Sequence, residues 1–148
     1  MKKLEYSIDI QTSPKEVWHK MLDPENYVEW TNVSWPGSFY IGKWQQGEDI
    51  RFIGKDGSGT LAHIKKLVPY ETVKADHIAV LYPGGIEDKD SDAAKGWIGT
   101  EETYIFTSNG NTTKLKVEIL TNPDWEQMFN DGFPAALAKL KEMCESKN

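Results

Sequence analysis

The C-terminal segment has the pattern of one long amphipathic helix, and this feature constrains the fold most. Its apolar residues recur at steps of three and four positions, which places them on one helical face: Trp125, Met128, Phe129, Phe133, Leu137, Leu140 and Cys144. The sequence before this segment consists mostly of strand and turn patterns. A single helix cannot bury such a face by itself. We therefore expect it to pack on the concave side of a curved sheet and to enclose a cavity there.

The ends of this helix are set by its flanking residues. We expect it to begin after Asn122, because Pro123 suits the first helical position and Asp124 lies near the positive end of the helix dipole. Pro134 falls inside the apolar pattern and deletes one helical hydrogen bond. We expect a kink or an interruption at Pro134.

The N-terminal residues predict one strand followed by two short helices. Residues 4–10 alternate apolar and polar side chains with a period of two, as in a half-buried strand. Ser13 is placed to cap a helix, because Pro14 suits the first helical position and Glu16 completes a capping box. Asp23 and the proline after it then restart the chain as a second short helix.

Strand and turn patterns fill residues 34–121. Asp56-Gly57 and Asn109-Gly110 are two-residue hairpin signals, and Pro69 separates another pair of strands. These signals predict about six antiparallel strands after the short helices. Residues 83–96 are too many and too polar for a hairpin turn. We expect them to form a mobile surface loop, acting as a lid over one end of the sheet.

Composition limits the class of protein. The 148 residues predict one domain, and 39% hydrophobic with 27% charged residues describe a soluble globular chain. A net charge of −6 argues against nucleic acid as a partner. The N-terminus lacks the apolar run of a signal peptide and no stretch approaches membrane-spanning length, so we expect a cytoplasmic protein with no membrane partner. The single cysteine, Cys144, allows no intramolecular disulfide and fits a reducing compartment.

The sequence predicts no metal site and no cofactor. Asp88, Asp90 and Asp92 have the spacing with which a calcium-binding loop begins. Ala93 stands where such a loop needs glycine, and Gly99 stands where it needs a bidentate glutamate. A solvated acidic loop explains the three carboxylates better.

The order of these elements resembles the helix-grip fold of the START-like (Bet v 1-like, SRPBCC) superfamily. Several motifs are similar to those of one branch, the homologues of the activator of the heat-shock-protein-90 ATPase: Ser13-Pro14-Lys15-Glu16-Val17-Trp18, Asp23-Pro24 with Trp30, Gly59 to Val73, and Gly132-Phe133-Pro134. The resemblance implies one α+β domain over residues 1–148. Its curved antiparallel sheet of about seven strands would have two short helices after the first strand and one long C-terminal helix. Such domains bind lipids, hormones and polyketides, catalyse cyclisation or regulate chaperones.

One strand supplies most of the candidate ligand-binding residues. If Tyr104 and Phe106 face inward, a period of two places Thr100 and Glu102 on the same face. A carboxylate facing an apolar cavity has a raised pKa or a partner, and either is typical of a site. The alternative is that Glu102 lies at the open end of the strand, where it is exposed to solvent or paired with a lysine.

Further candidates come from the aromatic residues and a histidine. Tyr40, Trp125, Phe129 and Phe133 are expected to line the cavity or its mouth. His63 is a candidate too, although a bulge near it leaves its direction open. His77 has the same ambiguity.

The predicted function is binding of a small hydrophobic or amphipathic molecule between the C-terminal helix and the sheet. One alternative is a co-chaperone-like module that binds a protein partner through its surface. A further alternative is a cyclase or hydrolase with Glu102 or His63 as general base, which requires two polar groups within hydrogen-bond reach inside the cavity. We favour binding without catalysis.

Overall fold

The computed structural model describes residues 1–146 and has the predicted helix-grip architecture. In chain order the elements are β1 (Lys2–Ile10), α1 (Pro14–Leu22), α2 (Pro24–Thr31), β2 (Phe39–Ile41), β3 (Asp49–Ile53), β4 (Gly59–Val68), β5 (Thr72–Tyr82), β6 (Ile86–Asp88), α3 (Asp92–Trp97), β7 (Glu101–Asn109), β8 (Thr112–Thr121), a 3-10 turn (Pro123–Trp125) and α4 (Glu126–Glu145). The strands form one antiparallel, 8-stranded sheet in the order β1-β8-β7-β5-β4-β3-β2, and the short β6 pairs with the end of β5. The α+β prediction is confirmed.

The two short helices begin where the capping signals predict. The Ser13 hydroxyl accepts a hydrogen bond from the backbone N–H of Glu16 at 3.3 Å, and Pro14 is the first residue of α1. The Trp30 indole Nε1 donates to the Met21 carbonyl at 2.8 Å and ties α2 to α1. This bond satisfies the one polar atom of a large buried side chain.

Helix α4 packs on the N-terminal strand and on both short helices. The Tyr6 ring of β1 stacks on Phe133 with centroids 5.2 Å apart, and the Lys141 ammonium donates to the Asp9 carbonyl at 2.7 Å. The expected interruption at Pro134 does not occur, because α4 continues across it. Burial on both sides of the proline holds the helix together, with Phe133 before it and Leu137 after it in the core.

Residues 83–96, for which the sequence predicted a mobile surface loop, contain regular secondary structure. They include β6 and most of α3. The Asp88 carboxylate accepts hydrogen bonds from the Ser91 hydroxyl and from the backbone N–H groups of Asp90 and Ser91, and these bonds lower the pKa of Asp88 to about 2. Ser91 in turn caps α3 and Ala94 is buried. The local capping bonds of polar residues explain why a polar stretch is ordered here.

A close contact between Trp35 and Gly132 fixes α4 against the segment that follows α2. A Cβ atom at Gly132 would lie 2.3 Å from Cζ2 of Trp35. The Ser34 hydroxyl donates to the Gly132 carbonyl at 2.6 Å, and the Trp35 ring meets Phe133 edge-on at 5.3 Å. Gly132 is therefore required for close approach, despite the cost of glycine in a helix.

We expect Gly132→Ala to lower the free energy of unfolding by up to about 2 kcal/mol in denaturant titrations. Alanine gains about 1 kcal/mol of helix propensity, but overpacking against Trp35 costs roughly 1–3 kcal/mol. Gly96→Ala in α3 is the matched control, since its Cβ would meet its nearest atom at 3.7 Å. If both variants are as stable as the parent, the Trp35 contact does not constrain position 132.

Candidate functional site

A cavity of about 160 Å³ lies between α4 and the sheet. Its walls come from α2, the segment after α2, four strands, α3 and α4. They consist mainly of aromatic rings with a few polar groups: Tyr27, Trp30, Thr31, Trp35, Ser38, Phe52, Thr60, His77, Trp97, Glu102, Tyr104, Met128, Phe129 and Phe133. The predicted hollow between helix and sheet is present.

Three stacked rings form the wall on the helix side. Phe129 lies nearly parallel to Phe133, with centroids 6.0 Å apart and planes at 24°. On its other side Phe129 lies at 6.0 Å and 19° from the Trp97 indole of α3. The rings of Tyr27 and Phe52, 5.9 Å apart, belong to the same lining. Rings in these offset arrangements attract one another beyond their burial.

The polar part of the cavity is centred on the Glu102 carboxylate. The Tyr104 hydroxyl donates to Glu102 Oε2 at 2.9 Å. On the other oxygen, Glu102 Oε1 lies 3.3 Å from His77 Nε2, with the two side chains only 17% and 3% exposed. The distance is that of an ion pair, but Nε2 does not meet hydrogen-bond geometry and has no hydrogen-bond partner within residues 1–146. The imidazole is buried with one nitrogen unsatisfied.

A chain of polar contacts holds His77 in place. Its Nδ1 lies 2.9 Å from the Thr60 hydroxyl, which also accepts a hydrogen bond from Trp97 Nε1 at 2.7 Å. Thr60 Oγ1 lies 3.1 Å from the Ala79 carbonyl. Indole, hydroxyl, imidazole, carboxylate and phenol thus form one connected network, and such networks rigidify a site when buried.

His77 is the last inward-facing residue before a β-bulge in β5. Leu61 pairs with Ala79 and Ala62 pairs with His77, so Ile78 is an extra residue in β5. On one side of the bulge, Val73 and Ala75 share the inner face with His77; on the other, Ala79 packs in a separate cluster with Leu61. Bulges re-aim side chains in this way and are common next to sites.

Opposing effects set the charge of this network. Burial raises the pKa of Glu102, but the adjacent His77 imidazole and the hydrogen bond from Tyr104 outweigh burial and leave the pKa below its ordinary value. Burial and the nearby Glu102 charge raise the pKa of Tyr27 and of Tyr104. The carboxylate is therefore ionised and both phenols are protonated near neutral pH.

Some sequence-predicted candidates line the cavity and others do not. Glu102, Tyr104, Phe129 and Phe133 line it, and their contact with a ligand stays a prediction. Thr100 is buried one residue before β7 and its hydroxyl lies 2.9 Å from that of Thr121. Its hydrogen-bonding capacity is thus used away from the cavity.

Phe106 and Tyr40 also lie elsewhere than the sequence predicted. The Phe106 ring packs on Trp18 of α1 at 5.2 Å, nearer the opposite end of β7. The Tyr40 hydroxyl donates to the Leu22 carbonyl at 2.5 Å, so this residue supports the cavity wall from behind Tyr27. Neither residue lines the cavity.

His63 and Trp125 lie outside the cavity as well. His63 faces the outer side of the sheet, where its Nδ1 lies 2.8 Å from Asp49 Oδ1. The bulge at Ile78 places Ala79 and Leu61 in a separate cluster from Val73 and Ala75, so alternation counted from different apolar residues gives opposite directions for the two histidines. Trp125 precedes α4 in the 3-10 turn, is 36% exposed and contacts Trp97 edge-on at 5.4 Å.

Trp97 separates the cavity from an apolar groove on the surface. This outer groove has a volume of about 390 Å³. Thr60, Trp97 and Met128 line both spaces, while Trp125 lines only the groove. A molecule that enters from this side must pass the Trp97 indole, which its bond to Thr60 holds in place.

Several residues that line the cavity are not among the candidates predicted from the sequence. Tyr27 and Trp30 belong to the apolar side of the second short helix, and this pattern could have indicated them. Trp35 lies in a connecting segment, Phe52 on a short strand and Trp97 at the end of the short helix α3, where no periodicity indicates direction. Within the described residues no cluster of three potential metal ligands occurs, and none of the helices there could cross a bilayer.

We expect a carbon-13 NMR titration of the Glu102 carboxyl to have its midpoint below the ordinary pKa of 4.5. A lowered pKa means that the ionised network stabilises the fold above the unfolded-state pKa, and that this contribution is lost as pH falls through the folded pKa. Tyr104→Phe removes one hydrogen bond to the carboxylate and should raise the midpoint. A midpoint above 4.5 in the parent would contradict the assigned network.

Comparison with solved structures identifies the fold. The Aha1 dimer from Colwellia psychrerythraea is 20% identical, with a TM-score of 0.74 over 98% of this chain and 97% of that one. Protein MLL2253 from Mesorhizobium loti is 14% identical, with a TM-score of 0.73 and 99% of each chain covered. CalU16 from Micromonospora echinospora is 16% identical, with a TM-score of 0.66 over 97% of this chain and 74% of that one. At such identities the likeness establishes the fold alone.

A family model establishes membership. Comparison with curated proteins finds no match. The model described as "Activator of Hsp90 ATPase homolog 1-like protein" matches residues 11–145, from the end of β1 to the end of α4. Because this match spans nearly the whole domain, the chain belongs to the Activator of Hsp90 ATPase homolog 1-like family, within the START-like superfamily.

Proposed function

We propose that the protein binds a small hydrophobic or amphipathic molecule in the cavity between α4 and the sheet. The observation that carries this proposal is the unsatisfied His77 Nε2, a buried atom at the cavity wall. Folded proteins leave few buried polar atoms without a partner, because each costs free energy. A ligand atom would supply the missing hydrogen bond.

The rest of the lining supports the same function. Aromatic rings cover most of the wall, so an apolar molecule would be stabilised by burial at roughly 25 cal/mol per Å² of apolar surface. The polar groups at Glu102 and His77 would orient it. Apolar walls with a few convergent polar groups are typical of ligand sites.

Native mass spectrometry tests this proposal. We expect the purified protein to carry a small molecule that denaturation releases, or else to gain thermal stability when small apolar compounds are added at millimolar concentration. His77→Gln should weaken such binding. His63→Gln is the matched control, because it alters a histidine on the outer face. Absence of both extra mass and stabilisation would contradict cavity binding.

Catalysis is the second candidate, and one observation favours it. Glu102 and His77 bring two polar groups within 3.3 Å at the cavity wall, which is the convergence that a cyclase or hydrolase requires. The orientation of His77 argues for binding instead. In a catalytic triad the second imidazole nitrogen faces the substrate, whereas His77 Nδ1 contacts the half-buried Thr60 hydroxyl. Glu102 Oε1 remains as the only base that a substrate could reach in this cluster.

A protein partner is the remaining alternative, and its support lies on the surface. Exposed apolar side chains occur on α2, after it and on the edge strand β2: Val28, Val33, Phe39 and Ile41. The family name suggests the Hsp90 ATPase as the partner to test. If this alternative holds, the protein stimulates that ATPase and Ile41→Lys abolishes the effect, while His77→Gln preserves it. No change in ATPase rate would count against it.

A further inference from the structure

We propose that the ligand is a single aromatic ring bearing a hydroxyl group, with that hydroxyl bridging His77 Nε2 and Glu102 Oε1 from the cavity side. This inference rests on the proposed function and names the chemical class of the ligand. Three features of the cavity lead to it: its volume, the composition of its walls and the hydrogen-bonding pattern at its polar end.

The volume limits the ligand to about one ring. The cavity measures about 160 Å³, whereas pockets for drug-sized molecules range over roughly 300–1,000 Å³. An apolar cavity of about 150 Å³ holds benzene. A long acyl chain or a fused ring system would require Trp97 or Phe129 to move.

The walls favour a planar ring over an aliphatic molecule of the same size. Phe129 stacks with Phe133 on one side and with Trp97 on the other, so ring faces and edges surround the space. Aromatic pairs prefer offset-stacked and edge-to-face contacts. A ligand ring could continue these contacts, whereas an alkyl group would gain only from burial.

The polar end presents one acceptor and one donor. Glu102 Oε2 already receives the Tyr104 hydroxyl, while Oε1 faces His77 Nε2, an atom with no hydrogen-bond partner in residues 1–146. Since Oε1 lies 3.3 Å from His77 Nε2, an ionised carboxylate requires a proton on that nitrogen; two facing lone pairs would repel. Nε2–H is thus a donor that no acceptor satisfies well.

A hydroxyl group matches this pattern better than other polar groups. It donates to Oε1 and accepts from Nε2–H with one oxygen atom. An ammonium group on the ligand could donate to Oε1 but could not accept from Nε2–H. A ligand carboxylate could accept from Nε2–H but could not donate to Oε1, and the negative charge of Glu102 would repel it. A carbonyl group accepts only. The hydroxyl on a ring therefore fits both the polar end and the aromatic walls.

Isothermal titration of the parent protein with 4-methylphenol, toluene and 4-methylbenzylamine tests the inference. We expect 4-methylphenol to bind about tenfold more tightly than toluene or more, because a site built to hydrogen-bond a hydroxyl discriminates against the analogue that lacks it. The amine should bind more weakly than the phenol. Glu102→Gln and His77→Gln should each reduce this preference, while His63→Gln should leave it unchanged.

The outcomes separate this inference from the proposed function. Equal binding of toluene and 4-methylphenol would overturn the hydroxyl inference and leave cavity binding standing. Tighter binding of the amine would overturn it in favour of a cationic ligand. If none of the three binds at millimolar concentration, both proposals fail. If one variant does not fold, the nitrogen-15 shift of His77 Nε2 in the parent gives an independent readout, since 4-methylphenol should move it and toluene should not.

Discussion

The position of α4 on the sheet is the constraint on which the cavity depends. The helix packs on β1, α1 and α2, where Tyr6 stacks on Phe133 and Gly132 admits the Trp35 ring. These contacts hold α4 along one side of the sheet. The inner face of β3, β4 and β5 is therefore covered by aromatic side chains rather than by the helix itself, and the packing of those rings leaves a space. Close-packed interiors have few such spaces, so this one is a specific feature of the fold.

Polar groups in that space are costly unless they are connected. The network runs from Trp97 through Thr60 and His77 to Glu102 and Tyr104, and within residues 1–146 it leaves His77 Nε2 without a hydrogen-bond partner. A partly satisfied buried network destabilises a core, and its persistence at a cavity wall is typical of a binding site. Within this network, Trp97 lines the cavity and also lines the outer groove.

Family membership and site geometry answer different questions. The family match covers residues 11–145 and indicates which fold the chain adopts. It does not indicate the function, because one fold of this kind serves many functions. The chemistry of this chain lies in the particular residues at its cavity. The buried pair of Glu102 and His77, within a ring-lined space of about 160 Å³, is the feature on which the proposal of a small-ligand site rests.

Local patterns were enough to predict the architecture. The Ser13 cap, the hairpin turns and the apolar face of α4 act over a few residues each, so the sequence alone determined the order of the main elements and the helix-grip fold, but not β6 and α3. It also indicated the inward direction of Glu102 and Tyr104, because β7 alternates without a bulge. Only the tertiary structure decided which histidine faces the cavity. The extra residue Ile78 reverses the alternation of β5, and a bulge depends on pairing between strands rather than on local pattern.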